Sequence, residues 1–319
     1  MTNISNKTKF FVVFFCLCLS SVSHAGWFSR DQPTKAATQY PIVFVGGGTL
    51  IIENIGPIDY FYKIPQKLED NGAEVFVSII SGSNTLEVRG EQLARYVEDV
   101  LAITGTEKVN LIGVSAGGPT SRYTASVYPE MVASVTTVNG GNHGIPMADL
   151  VAWSEEVAPN VMSVLIDLFD FGVGIIHWLG GNDLPQDSSA LVSSMSTAGL
   201  AKFNATYPEG APATWCGEGE EIGSNGVRYY SFAGNKAFTN VFDPIDYLLW
   251  LSASFFFKSG ETSDGIISTC SSHWGKVIRD DLPLNHVDMQ NHIFGITAWG
   301  MNVPNLYVQH VNRLKNMGL

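Results

Sequence analysis

Apolar runs and amphipathic stretches alternate along the first half of the chain. Pro41-Ile42-Val43-Phe44-Val45 is a short apolar run that ends in Gly46-Gly47-Gly48, the pattern of a buried strand feeding a loop. From Tyr60 to Asn71 the apolar positions take helical spacing and stop at Gly72. Glu74 to Ile80 predicts a strand. Leu86 to Ile103 predicts a longer helix, with Leu93, Val97, Val100 and Leu101 forming its apolar stripe. Lys108 to Ile112 predicts a further strand, and a helix-compatible segment follows Gly117. Val132 to Val138 is rich in β-branched residues and predicts the next strand. Strands alternating with helices imply a mostly parallel central sheet with helices on both faces, an α/β fold.

The regular beat breaks after Asn142. Residues 146–181 carry Trp153, Leu165, Phe169, Ile176 and Trp178 among many apolar neighbours and few charges. This predicts a helical hairpin, either a cap packed on the sheet or a movable lid over a hydrophobic cleft. Further on, Cys216 to Gly226 is polar and predicts a surface loop, and Val227 to Phe232 predicts a late strand. A second loop over residues 258–271 holds Asp264-Gly265. Gly275 to Arg279 is a last short apolar segment, and Tyr307 to Leu314 predicts a C-terminal helix.

Composition narrows the class. The 319 residues are 45% hydrophobic and 15% charged, enough for one large core, with a formal charge of −12. So acidic a balance argues against a nucleic-acid partner, which needs a basic surface to meet phosphates. Residues 1–25 have the form of a secretory signal peptide. Lys7 and Lys9 precede an apolar stretch from Phe10 to about Leu19, and Ser23-His24-Ala25 supplies small residues for cleavage. Losing the two lysines takes the charge from −12 to −14. That core is too short for a typical bilayer-spanning helix, and no second run of 18 apolar residues appears, so the expectation is a secreted protein without a transmembrane anchor. Residues 26–39 read as a flexible lead-in, leaving 40–319 as one domain. Two cysteines remain after cleavage, Cys216 and Cys270; an even count in an exported chain suggests one disulfide, with two free buried thiols as the alternative.

The candidate chemistry starts at Ser115. The strand before it runs into Gly113-Val114-Ser115-Ala116-Gly117, a Gly-x-Ser-x-Gly pattern between a strand and a helix. That context makes a nucleophile elbow, in which glycine neighbours let helix and strand pass closely on either side of a strained serine. A serine hydroxyl needs a base to take its proton and an acid to orient the base. In this arrangement the acid and then the histidine follow the serine along the chain. His286, in Leu284-Asn285-His286-Val287-Asp288, is the preferred base, with His273 as rival. Asp264 is the preferred acid, with Asp243 and Asp246 competing. The oxyanion donors should be the backbone N–H groups of Ala116 and Gly48.

From about residue 40 to 319 the chain resembles the secreted bacterial triacylglycerol lipases of the Pseudomonas and Burkholderia type. The likeness rests on Tyr40-Pro41-Ile42-Val43, Glu87-Val88-Arg89-Gly90-Glu91-Gln92-Leu93, Lys108 through Gly113 and on to Gly117-Gly118-Pro119-Thr120, Cys216-Gly217-Glu218-Gly219, Thr269-Cys270-Ser271-Ser272-His273 and Asn285-His286-Val287-Asp288. The resemblance implies an α/β-hydrolase fold with a helical lid, cleavage of acylglycerol esters at an interface, and Ser115, Asp264 and His286 as nucleophile, acid and base. It implies that Cys216 pairs with Cys270. It implies a structural Ca²⁺ held by the carboxylates of Asp243 and Asp288 and by backbone carbonyls at His292 and Ile296, hard oxygen ligands that suit calcium. It also implies a lipase-specific foldase during export.

Two stretches depart from that pattern. The family places His-Gly and a bulky residue in the first oxyanion loop, where this chain has Gly46-Gly47-Gly48-Thr49, and His rather than Val114 before the serine. The glycine run and Ser115-Ala116-Gly117-Gly118 are similar to an esterase group resembling hormone-sensitive lipase, which the rest of the chain does not follow. The altered loop predicts a wider site tolerant of bulky esters. Competing readings are a carboxylesterase or polyester hydrolase for shorter or bulkier esters, and a lipid-binding homologue that has lost catalysis.

Overall fold

A computed structural model describes residues 34–48, 60–157, 184–292 and 294–319. Six strands form one sheet in the order β2-β1-β3-β4-β5-β6, and every neighbouring pair is parallel. They are β1 (Ile42–Val45), β2 (Val75–Val77), β3 (Val109–Val114), β4 (Val132–Val138), β5 (Arg228–Gly234) and β6 (Lys276–Leu282). The helices are α1 (Ile64–Glu69), α2 (Leu86–Thr104), α3 (Gly117–Val127), α4 (Pro146–Val157), α5 (Ser188–Met195), α6 (Thr197–Thr206), α7 (Pro244–Phe256) and α8 (Val303–Asn316).

The strand alternation sends successive side chains to opposite faces. Ile42, Phe44, Ile112 and Val114 meet Ile64 and Leu68 of α1 and Val303, Tyr307 and Val311 of α8. Val43, Val45, Val109 and Leu111 meet Leu93, Val97 and Val100 of α2 and Ala125 of α3. Each such fully buried Val, Leu, Ile or Phe side chain contributes about 1.5–3 kcal/mol. Both faces are therefore covered, which is why the central strands read as continuous apolar runs. A third cluster joins Leu191, Val192 and Met195 of α5 to Leu200 and Phe203 of α6, with Ile145, Leu86 and Ala116.

The expected strands and helices of the first half are present, with β4 spanning Val132–Val138 as the pattern predicts. The C-terminal helix is longer than expected. It begins at Val303, where Asn302 accepts from the Asn305 N–H at 3.1 Å to cap it. Helices α5, α6 and α7 were not expected. Of the apolar 146–181 segment, the first part forms α4 and residues 158–181 lie outside the described residues, as do the expected signal peptide (1–25) and residues 26–33. Residues 34–39 dock on the domain: Ala36 is fully buried and its N–H donates to Asn71 O at 2.9 Å. Cys216 and Cys270 are joined, closing 54 residues of sequence. In the chain-entropy account such a link is worth about 4 kcal/mol.

On α8, His310 is buried as a neutral imidazole. Arg313 can only donate, so His310 Nδ1 accepts from its Nη1 at 3.3 Å and Nε2–H donates to Thr136 Oγ1 at 2.7 Å. Burial, reinforced by Arg313, pushes its pKa down to about 3.

Candidate active site

Parallel strands point their C-terminal ends to one edge of a sheet, and ligands of open α/β sheets bind there. The loops after β1, β3 and β6 all emerge at that edge. Ser115 follows β3 directly with φ 54°, in the left-handed region, a conformation that costs a non-glycine residue about 1–3 kcal/mol. It is held there from both sides: its N–H donates to Val138 O at 3.0 Å, and its carbonyl accepts from Gly118 N–H at 3.0 Å. The flanking glycines are sterically required. A Cβ on Gly113 would stand 2.1 Å from Gly117 O, and one on Gly117 would stand 2.3 Å from Val45 O.

His286 lies past β6 and is paired with Asp264. Its Nδ1 is 2.7 Å from Asp264 Oδ2, and its N–H donates to Asp264 O at 2.9 Å. A carboxylate only accepts, so Nδ1 carries the proton and Nε2 is left as the basic nitrogen. Asp264 is buried, and its Oδ1 accepts from the N–H groups of Ile266 at 2.9 Å and Ile267 at 2.7 Å. The rivals are engaged elsewhere. His273 Nδ1 is 3.2 Å from Gly217 O and its Nε2 is 3.4 Å from Asp280. Asp243 and Asp246 belong to a different cluster.

The glycine loop is fastened by groups the sequence reading did not single out. Gly47 N–H donates to Tyr60 Oη at 3.1 Å. Arg89 of α2 is fully buried, and each of its five N–H groups meets an acceptor. Nη2 donates to Gly46 O at 2.8 Å and Gly47 O at 2.9 Å, Nη1 to Ser81 O at 2.7 Å and Gly82 O at 2.6 Å, and Nε to Thr120 Oγ1 at 3.2 Å. The guanidinium thus ties the turn after β1 to the turn after β2. A Cβ on Gly47 would stand 2.9 Å from Ser115 Cβ and 3.0 Å from Tyr60 Oη, so this position presses against the serine. Gly48 follows in the same turn, and Ala116, buried, opens α3 behind Ser115. Thr49 lies outside the described residues.

A second site forms two residues past His286. Asp243, Asp246 and Asp288 are all buried, with carboxylate oxygens within 4.8 Å of one another. Asp246 is saturated: its Oδ2 accepts from Thr239 N–H at 2.5 Å and Asn240 N–H at 2.6 Å, and its Oδ1 from Asn285 Nδ2 at 2.5 Å. Asp243 Oδ2 and Asp288 Oδ1 are buried without a donor. Burial first, then the neighbouring carboxylates, raise Asp243 above the usual carboxylate range and push Asp288 up to about 7. Two orphaned buried carboxylate oxygens fit a hard divalent cation. His292 and Ile296 lie on the adjoining loop, which Asn240 Nδ2 ties down through Thr297 O at 2.9 Å. Asp246 was weighed on sequence only as a rival acid; its place three residues after Asp243, one turn into α7, is the signal that could have grouped the two.

The family described as the alpha/beta hydrolase fold matches residues 40–191. A triacylglycerol lipase of Vibrio cholerae is 43% identical over 320 residues, covering 96% of this chain and 99% of its own. A triacylglycerol lipase of Pseudomonas fragi is 38% identical, covering 88% of this chain and 98% of its own. Among solved structures, the Staphylococcus hyicus lipase superposes with a TM-score of 0.63 at 15% identity, covering 90% of this chain and 98% of that one, a likeness of fold.

Proposed function

Since the chain belongs to the triacylglycerol lipases of the alpha/beta hydrolase fold, and so is a carboxylic ester hydrolase, we propose that Ser115, His286 and Asp264 carry out its chemistry through an acyl-enzyme. The observation that carries this is the His286–Asp264 pair at 2.7 Å, set at the same sheet edge as a left-handed serine. Ser115 Oγ attacks the ester carbonyl carbon while His286 Nε2 takes the hydroxyl proton. Asp264 accepts from Nδ1–H and stabilises the imidazolium. The N–H groups of Gly48 and Ala116 stabilise the tetrahedral oxyanion. The ester C–O bond then breaks, and the leaving alcohol takes the proton from His286. Water, deprotonated by the same nitrogen, releases the fatty acid and restores Ser115.

The substrates are acylglycerols presented at an interface. A series of esters from butyrate to oleate, assayed below and above the solubility limit, tests this. The lipase reading expects activation above the limit and preference for longer chains. A butyrate optimum without activation favours the carboxylesterase reading. The glycine loop adds turnover of tert-butyl esters; if these are inert while simple esters react, the wider-site reading fails.

The acid cluster holds Ca²⁺ in this reading, through Asp243 and Asp288 with main-chain oxygens of His292 and Ile296. The ion would fix the loop that presents His286. A chelator is expected to lower the melting temperature by roughly 5–10 °C, with calcium restoring it, since a ligand at 100 Kd adds about 2.7 kcal/mol. Asp243→Asn should lose that calcium-dependent increment. Identical melting with and without chelator would remove the site. Export as a secreted enzyme, with a foldase as partner, completes the proposal. No helix among the described residues is long and apolar enough to cross a membrane.

A further inference from the structure

A groove runs along the margin of the sheet between β6 and α8. It is a small trough of about 90 Å³, open to solvent on one side. Phe232 of β5, Ile278 and Leu282 of β6, Met289, and Leu306 of α8 give it an apolar side, and Tyr307, Gln309 and His310 of α8 add polar groups. Two arginines stand in it, and they are not equivalent. Arg279 is exposed and already paired with Asp281 on the same strand. Arg313 pairs with no carboxylate among the described residues. Among the described residues it is hydrogen-bonded to the ring of neutral His310 at 3.3 Å. In a chain with 30 acidic and 18 basic residues, a half-buried guanidinium left without an acid, above an apolar trough, is a site of unmatched charge.

We propose that this groove binds a fatty-acid anion, its alkyl chain against Phe232, Ile278, Leu282 and Leu306 and its carboxylate on Arg313. The ligand follows from the lining. One unpaired cation asks for one anion, and guanidinium matches a carboxylate through two parallel N–H···O bonds. The apolar side of the wall matches a methylene chain. Asp281, the nearby acid on β6, is occupied by Arg279 and does not cancel the charge at Arg313. The groove reaches the segment that carries His286: Met289 lines it, and Met289 O accepts from Tyr307 Oη at 2.7 Å. Under the function proposed above, the ligand is the acid that hydrolysis releases, but the binding itself does not depend on Ser115.

The test is a titration of decanoate into the full chain carrying [methyl-¹³C]methionine, with the Met289 signal assigned by its loss in Met289→Leu. The Met289 signal should shift saturably. Arg313→Gln should raise the half-saturating concentration at least tenfold while melting as the parent does. Leu306→Trp, which fills the trough and leaves the arginine, should abolish the shift. Decanol should need at least tenfold more ligand than decanoate. Equal shifts with decanol, or a decanoate shift untouched by Arg313→Gln and Leu306→Trp, would overturn the proposal. So would a Met289 signal that moves with protein concentration alone, which would place a second copy of the chain in the groove.

Discussion

Ser115→Ala is expected to lower kcat on a soluble short-chain ester by roughly 10⁵–10⁶ while leaving the fold intact, the scale seen when a triad nucleophile is removed. Native protein should also take up a fluorophosphonate once per chain, and the variant should not. Ser115→Gly separates chemistry from strain. It should be as inactive as Ser115→Ala, yet more stable by about 1 kcal/mol, because glycine adopts φ 54° without the Cβ penalty. Labelling that survives in both variants would move the nucleophile elsewhere. A native protein that neither labels nor turns over esters would support the lipid-binding reading.

Arg89→Ala is expected to be the most damaging change away from the reacting atoms. It leaves four backbone carbonyls and one hydroxyl without their donor in a closed space. An unsatisfied buried acceptor costs about 1–3 kcal/mol, and partial filling by water brings the total to roughly 3–5 kcal/mol. The kinetic effect should be specific. With the Gly46-Gly47 turn released, the Gly48 N–H is no longer aimed, and losing one oxyanion donor lowers kcat about 10²–10³-fold. KM for a soluble ester should change little, because the scissile bond and not the acyl pocket is affected. Arg89→Lys, with three donors on a point charge, should recover part of the stability and less of the rate. If Arg89→Ala lowers the melting temperature while kcat below that temperature is unchanged, the clamp is structural only.

The central strands β1, β3 and β4 were legible because they are buried on both faces and so are written as nearly unbroken apolar runs. The Gly-x-Ser-x-Gly turn was legible for a related reason: the backbones at Gly113 and Gly117 leave no room for a Cβ. Helix α7 was not. Its buried positions Asp246 and Leu249 alternate with exposed Tyr247, Leu248, Trp250 and Leu251, so the apolar residues form no stripe. Helices α5 and α6 are short, rich in serine and threonine, and divided at Ser196, whose hydroxyl caps the second. Arg89 lies on the buried stripe of α2, three residues after Leu86 and four before Leu93, but its charge reads as a solvent-facing residue and the four carbonyls it meets belong to turns outside that helix. The acid cluster joins positions more than forty residues apart, so Asp243 and Asp288 were grouped as metal ligands only through resemblance, and Asp246 as their companion only in three dimensions.

The two margins of the sheet are both unfit to recruit another strand. β2 offers three residues, and β6 sets Lys276, Arg279, Asp280 and Asp281 along its length. Short and charged borders are how β-proteins avoid fusing edge to edge. Concentrated solutions should therefore clump, where they clump at all, through the bare aromatic flank of α7 rather than by growing cross-β ribbons, and mild detergent rather than denaturant should be enough to disperse them.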